Sequence, residues 1–202
     1  GESFTYMMGH FPAPWGNELK AGPLEALLAL SFSVVMLLSM TGGAADLERD
    51  IEPQRQGRYC LLMQLLYAAL LAMVYTNDLF TAYVFIEIAA ITACVAVVAK
   101  ESGRSVVAAI RYLVFSCLGS GLILLGISIL YCVPGHLLME DLGWTVSWLL
   151  DSGQYGVPLT ASALLMTLGL SIKSAQFPFH AWLPDAHATA TTSASAILSG
   201  LV

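Results

Sequence analysis

Apolar residues in this chain come in long runs, and polar residues gather in short stretches between them. Leu24–Met40 is the first run, just long enough to span a bilayer core. Pro23 suits the first turn of a helix there, and Gly42-Gly43 ends it. Tyr59–Tyr75 is the second span. Asn77-Asp78 then makes a tight turn with a side chain suited to capping the next helix. Leu79–Ala99 is the third span and Ser105–Cys132 the fourth and longest. Gly119-Ser120-Gly121 lies inside the fourth, where small residues permit close helix contact. A fifth span covers 159–183, broken near Phe177-Pro178, and a sixth begins over 191–202.

The stretches between differ in character. Residues 1–22 read as an interfacial loop, with Pro12 and Pro14 and with Phe4, Tyr6, Phe11 and Trp15 as headgroup-level anchors. Residues 44–58 form a strongly charged loop and 100–104 a short polar turn. Residues 133–158 carry Trp144 and Trp148, and their middle is expected to form a short interfacial helix. No strand-period alternation runs long enough for a barrel. The pattern predicts an all-α polytopic membrane protein, with residues 1–202 as one transmembrane domain. The chain stops at Val202 inside an apolar run and is expected to be part of a longer protein.

Composition agrees. The chain is 57% hydrophobic and 11% charged, whereas soluble domains run about 25% charged. A net charge of −6 with eight Lys and Arg argues against nucleic acid as a partner. Cys60, Cys94, Cys117 and Cys132 lie in or at the ends of apolar runs, without CxxC or metal spacing, and read as small hydrophobes. No metal or cofactor is expected. Arg49, Arg55, Arg58, Lys100 and Arg104 fall in two loops on one side, against Lys20 alone on the other. That asymmetry makes the first side cytoplasmic. The expected location is multi-pass in a bacterial or archaeal cytoplasmic membrane.

Ionisable groups inside the spans carry the chemistry. A charge at the bilayer centre costs at least ~2.5–3.5 kcal/mol, so its presence needs a reason. Glu87 lies eight residues from Leu79 and twelve from Ala99, near mid-membrane. It is either a glutamate satisfied by a neighbouring helix hydroxyl or part of an ion path. Lys173 lies fourteen residues past Leu159 and just before the break. It either snorkels to the interface or lines a wet cavity, because carbonyls freed at a break are tolerated only beside protein or water. A low-dielectric site disfavours an ammonium, and a carboxylate within reach restores it. Glu87 and Lys173 together would therefore make a switchable proton carrier. Arg111 either snorkels toward Arg104 or joins this polar file. His180 and His187, beside Pro184, are candidate proton shuttles or ordinary loop residues. Asp185 either caps a helix end or accepts protons. Glu25 is expected in a first helical turn.

The stretch KSAQFPFHAWLPDAH resembles the broken seventh helix of the proton-translocating, antiporter-like membrane subunits. These occur in respiratory complex I (NADH:quinone oxidoreductase), in membrane-bound hydrogenases and formate hydrogenlyases, and in Mrp-type sodium/proton antiporters. NDLFTAYVFIEIAAITACVAV looks like the family's fifth helix, with Glu87 at its glutamate. AAIRYLVFSCLGSGLILLGISILY looks like the sixth, with Arg111 where a lysine is usual. FPAPWGNELKAGPLEALLAL resembles the run into the third. The resemblance implies a fold of about fourteen helices with two inverted five-helix repeats. This chain would hold the third helix, most of the first repeat, and only the start of the eighth. It implies Glu87 as the modulating glutamate and Lys173 as the proton-carrying lysine, with Arg111 and His180 on the proton path and Asp185 and His187 supporting uptake. Two departures stand out: ATATTSAS before the eighth helix has no proline, and Leu198-Ser199 stands where some branches carry a histidine. Three functions are open: a redox-driven proton pump subunit, a subunit of a cation/proton antiporter moving protons and sodium, and a structural subunit with a vestigial channel. Each implies other membrane subunits and the lipid bilayer as partners. The retained glutamate and lysine count against the third.

Overall fold

The computed structural model describes residues 3–11, 16–153 and 155–202; Pro12, Pro14 and Trp15 lie outside them. The chain opens with an antiparallel ribbon, β1 (Phe4–Met7) paired with β2 (Glu18–Ala21) in the register Phe4↔Ala21. Next come α1 (Pro23–Gly42), α2 (Ala44–Asp50), α3 (Pro53–Tyr75), α4 (Leu79–Val98) and α5 (Gly103–Tyr131). They are followed by α6 (Met139–Asp151), α7 (Gly156–Lys173), α8 (Leu183–Thr189) and α9 (Thr192–Gly200). Among the described residues, α1, α3, α4, α5 and α7 are long and apolar enough to cross a membrane.

Local chemistry sets the helix ends. Proline occupies the first turn of α1 and α3, where its missing N–H is not needed. The Asp78 side chain accepts from Thr81 N at 2.7 Å, and Ser102 accepts from Ser105 N at 3.0 Å. Gly43 closes α1. It also lets α9 approach: a Cβ there would lie 2.8 Å from Ser193 Cβ.

The long helices alternate in direction, α3 packing on α4, α4 on α5 and α5 on α7, while α1 packs on α3 and α9. Met63, Leu66, Ala93, Val97, Ala186 and Ile197 form the tightest part of the core. Leucines 24, 27, 30, 37 and 38 of α1 are exposed, as expected of a face turned to lipid.

The two ends of the bundle are built differently. At one end Lys100 pairs with Asp50 at 2.8 Å, and Arg55 pairs with Glu52 and Glu101. The two basic loops thus meet, and this is called the basic end. At the other end β2 bridges the α3–α4 turn (Leu19↔Thr76), and Asp78 bridges Leu138 before α6. Amphipathic α6 buries Leu142 and Leu149 and leaves Trp144 and Trp148 exposed.

Several boundaries differ from the sequence expectation. The charged loop 44–58 contains α2 and the first two turns of α3, whose polar residues stand outside the apolar run. Within residues 1–22 the described part is a paired ribbon, not a plain loop; its four-residue strands are too short for the alternation to register. The break also comes earlier. The helix ends at Lys173, four residues before the cis Phe177-Pro178 bond, and the chain goes on through a 3-10 turn (His180–Trp182) and the short α8 and α9. Ala175 turns the chain with φ 52°, a conformation that costs an L-residue about 1 kcal/mol or more.

Lys20 Nζ bonds Glu140 at 3.0 Å across the end opposite the basic one. That hydrogen bond holds the ammonium's pKa above the usual lysine range, against burial, which lowers it. A raised folded-state value means the contribution is fully present below the ordinary lysine value and is lost as pH rises through the folded one. Lys20→Ala should slightly lower the melting temperature at neutral pH, and the difference from wild type should vanish at strongly alkaline pH. Melts recorded across pH check this.

Candidate functional site: a lysine–glutamate pair at a helix break

Glu87 stands at mid-length of α4, and Lys173 is the last residue of α7. Between them runs α5, presenting Ser116, Gly119 and Ser120. Lys173 Nζ donates to Glu87 Oε1 at 2.7 Å and to Ser116 Oγ at 3.1 Å. The Ser120 hydroxyl lies against the same carboxylate oxygen and against the Ser116 carbonyl at 2.8 Å, with one proton to share between them. Glu87 therefore has both partners that sequence reasoning keeps as alternatives, a helix hydroxyl and a cation. The two side chains are 12% exposed for Lys173 and 26% for Glu87.

Glycine makes the approach feasible. A Cβ on Gly119 would lie 2.9 Å from Gly169 O and 3.2 Å from Lys173 Cγ, so its absence leaves room for the α7 backbone and the lysine stem. Gly121, from the same small-residue cluster, has nothing within 4 Å. At the break the released carbonyls find donors: Ser171 O takes Gln176 N at 2.9 Å, and Ile172 O takes Ala175 N at 3.2 Å and the Trp182 indole at 3.3 Å. These helix-end carbonyls are the negative pole of α7, and the lysine ammonium belongs to that last turn.

A cavity of about 240 Å³ adjoins the pair, lined by Met73, Ala90, Tyr112, Ser116, Lys173 and Trp182 among others. Its walls are mostly apolar, and Lys173, with the hydroxyl-bearing Ser116, Ser174 and Tyr112, supplies polar groups there.

The remaining predicted residues lie apart from the pair. Arg111 pairs with Asp185 where α5 meets α8. His180 is exposed, its ring stacked on Phe177 with centroids 5.8 Å apart. His187 Nδ1 lies 2.8 Å from Ser195 Oγ on α9. Among the described residues, no group of three or more His, Cys, Asp or Glu is arranged to hold a metal ion.

Residues 76–202 match the transmembrane family described as NADH:quinone oxidoreductase/Mrp antiporter. The chain belongs to that family. It is similar to NADH-quinone oxidoreductase subunit N of Desulforudis audaxviator, 38% identical over 93% of this chain and 36% of the relative. It is similar to a Na(+)/H(+) antiporter subunit of Bacillus subtilis, 30% identical over 98% of this chain and 39% of the relative. Among solved structures it resembles a chain of the membrane-bound sulfane sulfur reductase, an archaeal respiratory membrane complex, at 27% identity and TM-score 0.83, covering 96% of this chain and 38% of that one. The chain thus spans little more than a third of the length of these relatives. Structural neighbours are chains of multisubunit membrane complexes, and this family member is a multi-pass membrane protein.

In this family member Ser116 and Gly169 also shape the site, although neither stands out in the sequence as an ionisable residue does. Ser116 and Ser120 are four residues apart, one helical turn, a spacing that puts two hydroxyls on one face of an apolar helix. That spacing is the available signal.

Proposed function

We propose that the chain carries protons across the membrane through the Glu87–Lys173 pair, as part of a redox-driven pump of the NADH:quinone oxidoreductase or membrane hydrogenase type. The observation that carries this reading is the 2.7 Å contact between Lys173 and Glu87 beside a cavity at a helix break. Paired, the lysine holds its proton; drawn apart, it sits desolvated beside apolar walls and gives the proton up. The switch needs only two side chains and a mobile helix end. Residues 1–202 act as one transmembrane unit, Arg111 and His180 belong to the proton path, and Asp185 and His187 support uptake. The partners are other membrane subunits of one complex, which supply the redox chemistry, together with the lipid bilayer.

A second reading is supported by the Bacillus subtilis relative, whose name is that of a sodium/proton antiporter subunit. In it the same pair exchanges protons for sodium without redox coupling. Glu87→Gln tests both. The amide keeps a partner for Ser120 but removes the charge that holds the ammonium. In vesicles bearing the assembled complex, proton transport should fall by about tenfold or more, short of the hundredfold or more that losing the proton-transfer group itself costs. Unchanged transport with normal assembly overturns the role of the pair. In the wild type, transport driven by electron transfer from NADH to a quinone favours the pump, and transport driven by a sodium gradient alone favours the antiporter.

A further inference from the structure

Just past the break the chain is fastened to α5 at two points. Arg111 Nη1 pairs with Asp185 Oδ2. The rings of Tyr112 and Trp182 meet with centroids 4.8 Å apart and planes inclined at 58°. Arg111 and Tyr112 are consecutive on α5, and Trp182 and Asp185 flank the start of α8. The indole also reaches back to the last turn of α7, donating to Ile172 O at 3.3 Å. Both rings line the cavity that holds Lys173, and both are 4% exposed. The ion pair lies outside them, its side chains 58% and 47% exposed. Two buried rings thus wall the cavity, one from α5 and one from the turn that leads into α8. The ion pair ties α5 to α8 through a single polar contact outside the rings. Arg104 and Thr189 line the same α5–α8 groove as Asp185, and Thr189 Oγ1 donates to the Asp185 carbonyl at 2.8 Å.

We propose that Arg111–Asp185 is a latch that keeps the Tyr112–Trp182 closure shut, and that its release admits water from the basic end to the Lys173 cavity. The proposal rests on Lys173 as the proton carrier. On that path Arg111 and Asp185 are positioning residues: they govern uptake through the two rings and not by contact with the lysine. The latch also accounts for two charged residues that stand apart from the Glu87–Lys173 pair.

The test reads water access, not transport. Ala90 lines the cavity and is 7% exposed. Ala90→Cys is introduced in the full-length protein, within its complex, after Cys60, Cys94, Cys117 and Cys132 are replaced by alanine. Membrane vesicles are treated from the basic side with a charged, impermeant methanethiosulfonate reagent. Asp185→Asn or Arg111→Gln should raise the labelling rate about tenfold, the change expected when a minor open state becomes the common one. The exchanged pair, Arg111→Asp with Asp185→Arg, should return it to the slow rate and shows that the fold tolerates both positions. Equal rates in all variants overturn the latch, and so does fast labelling of the exchanged pair. Because labelling does not depend on transport, unimpaired transport in Glu87→Gln would overturn the carrier without altering these rates.

Discussion

Replacing Lys173 with alanine is expected to cut proton transport by about a hundredfold, the contribution typical of a positioned proton-transfer group, while the complex still assembles. The ammonium donates to Glu87 and to Ser116, so alanine removes the carrier and empties the space over Gly119. Removing one member of a buried ion pair usually destabilises by about 3–5 kcal/mol. Here the cost should be smaller, because Glu87 is 26% exposed and keeps the Ser120 hydroxyl. Lys173→Arg separates charge from chemistry. A guanidinium keeps the positive charge but does not release its proton in a protein. It should therefore assemble as well as wild type and transport as poorly as alanine. Proton uptake into vesicles, compared with the amount of assembled complex, checks both variants. Wild-type transport in either one would sink the carrier mechanism.

How much of this is legible in the sequence depends on the range of the interaction. The spans follow from apolar runs, which are local. Asp78 as a cap follows from a side chain and a backbone N–H three residues apart. Glu87 and Lys173 stand out singly because charge in lipid is costly. Their meeting does not follow, since eighty-six residues separate them and nothing local sets how α4, α5 and α7 are arranged. The pattern places the end of α7 too late for a related reason. Pro178 is the conspicuous helix breaker, yet the helix ends earlier, where Ser174 and Ala175 turn out of it and Trp182 caps Ile172 from beyond the break. That capping is tertiary. The pattern also places the start of α3 too late, because PQRQGR is polar, and helices that rise out of a membrane keep their hydrogen bonds without keeping their hydrophobicity. Arg111 presents the sharpest case. From sequence it is either a snorkelling residue or part of the polar file, whereas its partner proves to be Asp185 on α8.

Gly169→Ala should be the most damaging of the small substitutions, although it adds only a methyl group. Its Cβ would fall 2.5 Å from Gly119 O and 2.6 Å from Ile123 Cγ1. The first is backbone, which cannot swing aside, so α7 must move away from α5. Overpacking of this kind costs about 1–3 kcal/mol, and the purified protein should melt several degrees lower. Displacement of α7 also lengthens the 2.7 Å contact at its last residue, so transport should fall with stability. Gly126→Ala is a useful comparison. Its Cβ would meet Met166 Cγ at 2.6 Å, and a methionine can turn partly away, although Ser162 O at 2.9 Å still leaves some cost. Gly121→Ala meets nothing within 4 Å and should be neutral or slightly stabilising, since alanine favours helix. The expected order of melting temperatures is therefore Gly121→Ala highest, Gly126→Ala between, and Gly169→Ala lowest. A Gly169→Ala protein that melts with wild type would mean that the α5–α7 contact is looser than these distances require. The position of Lys173 against Glu87 would then have to be set by the break itself and not by the helix that leads into it.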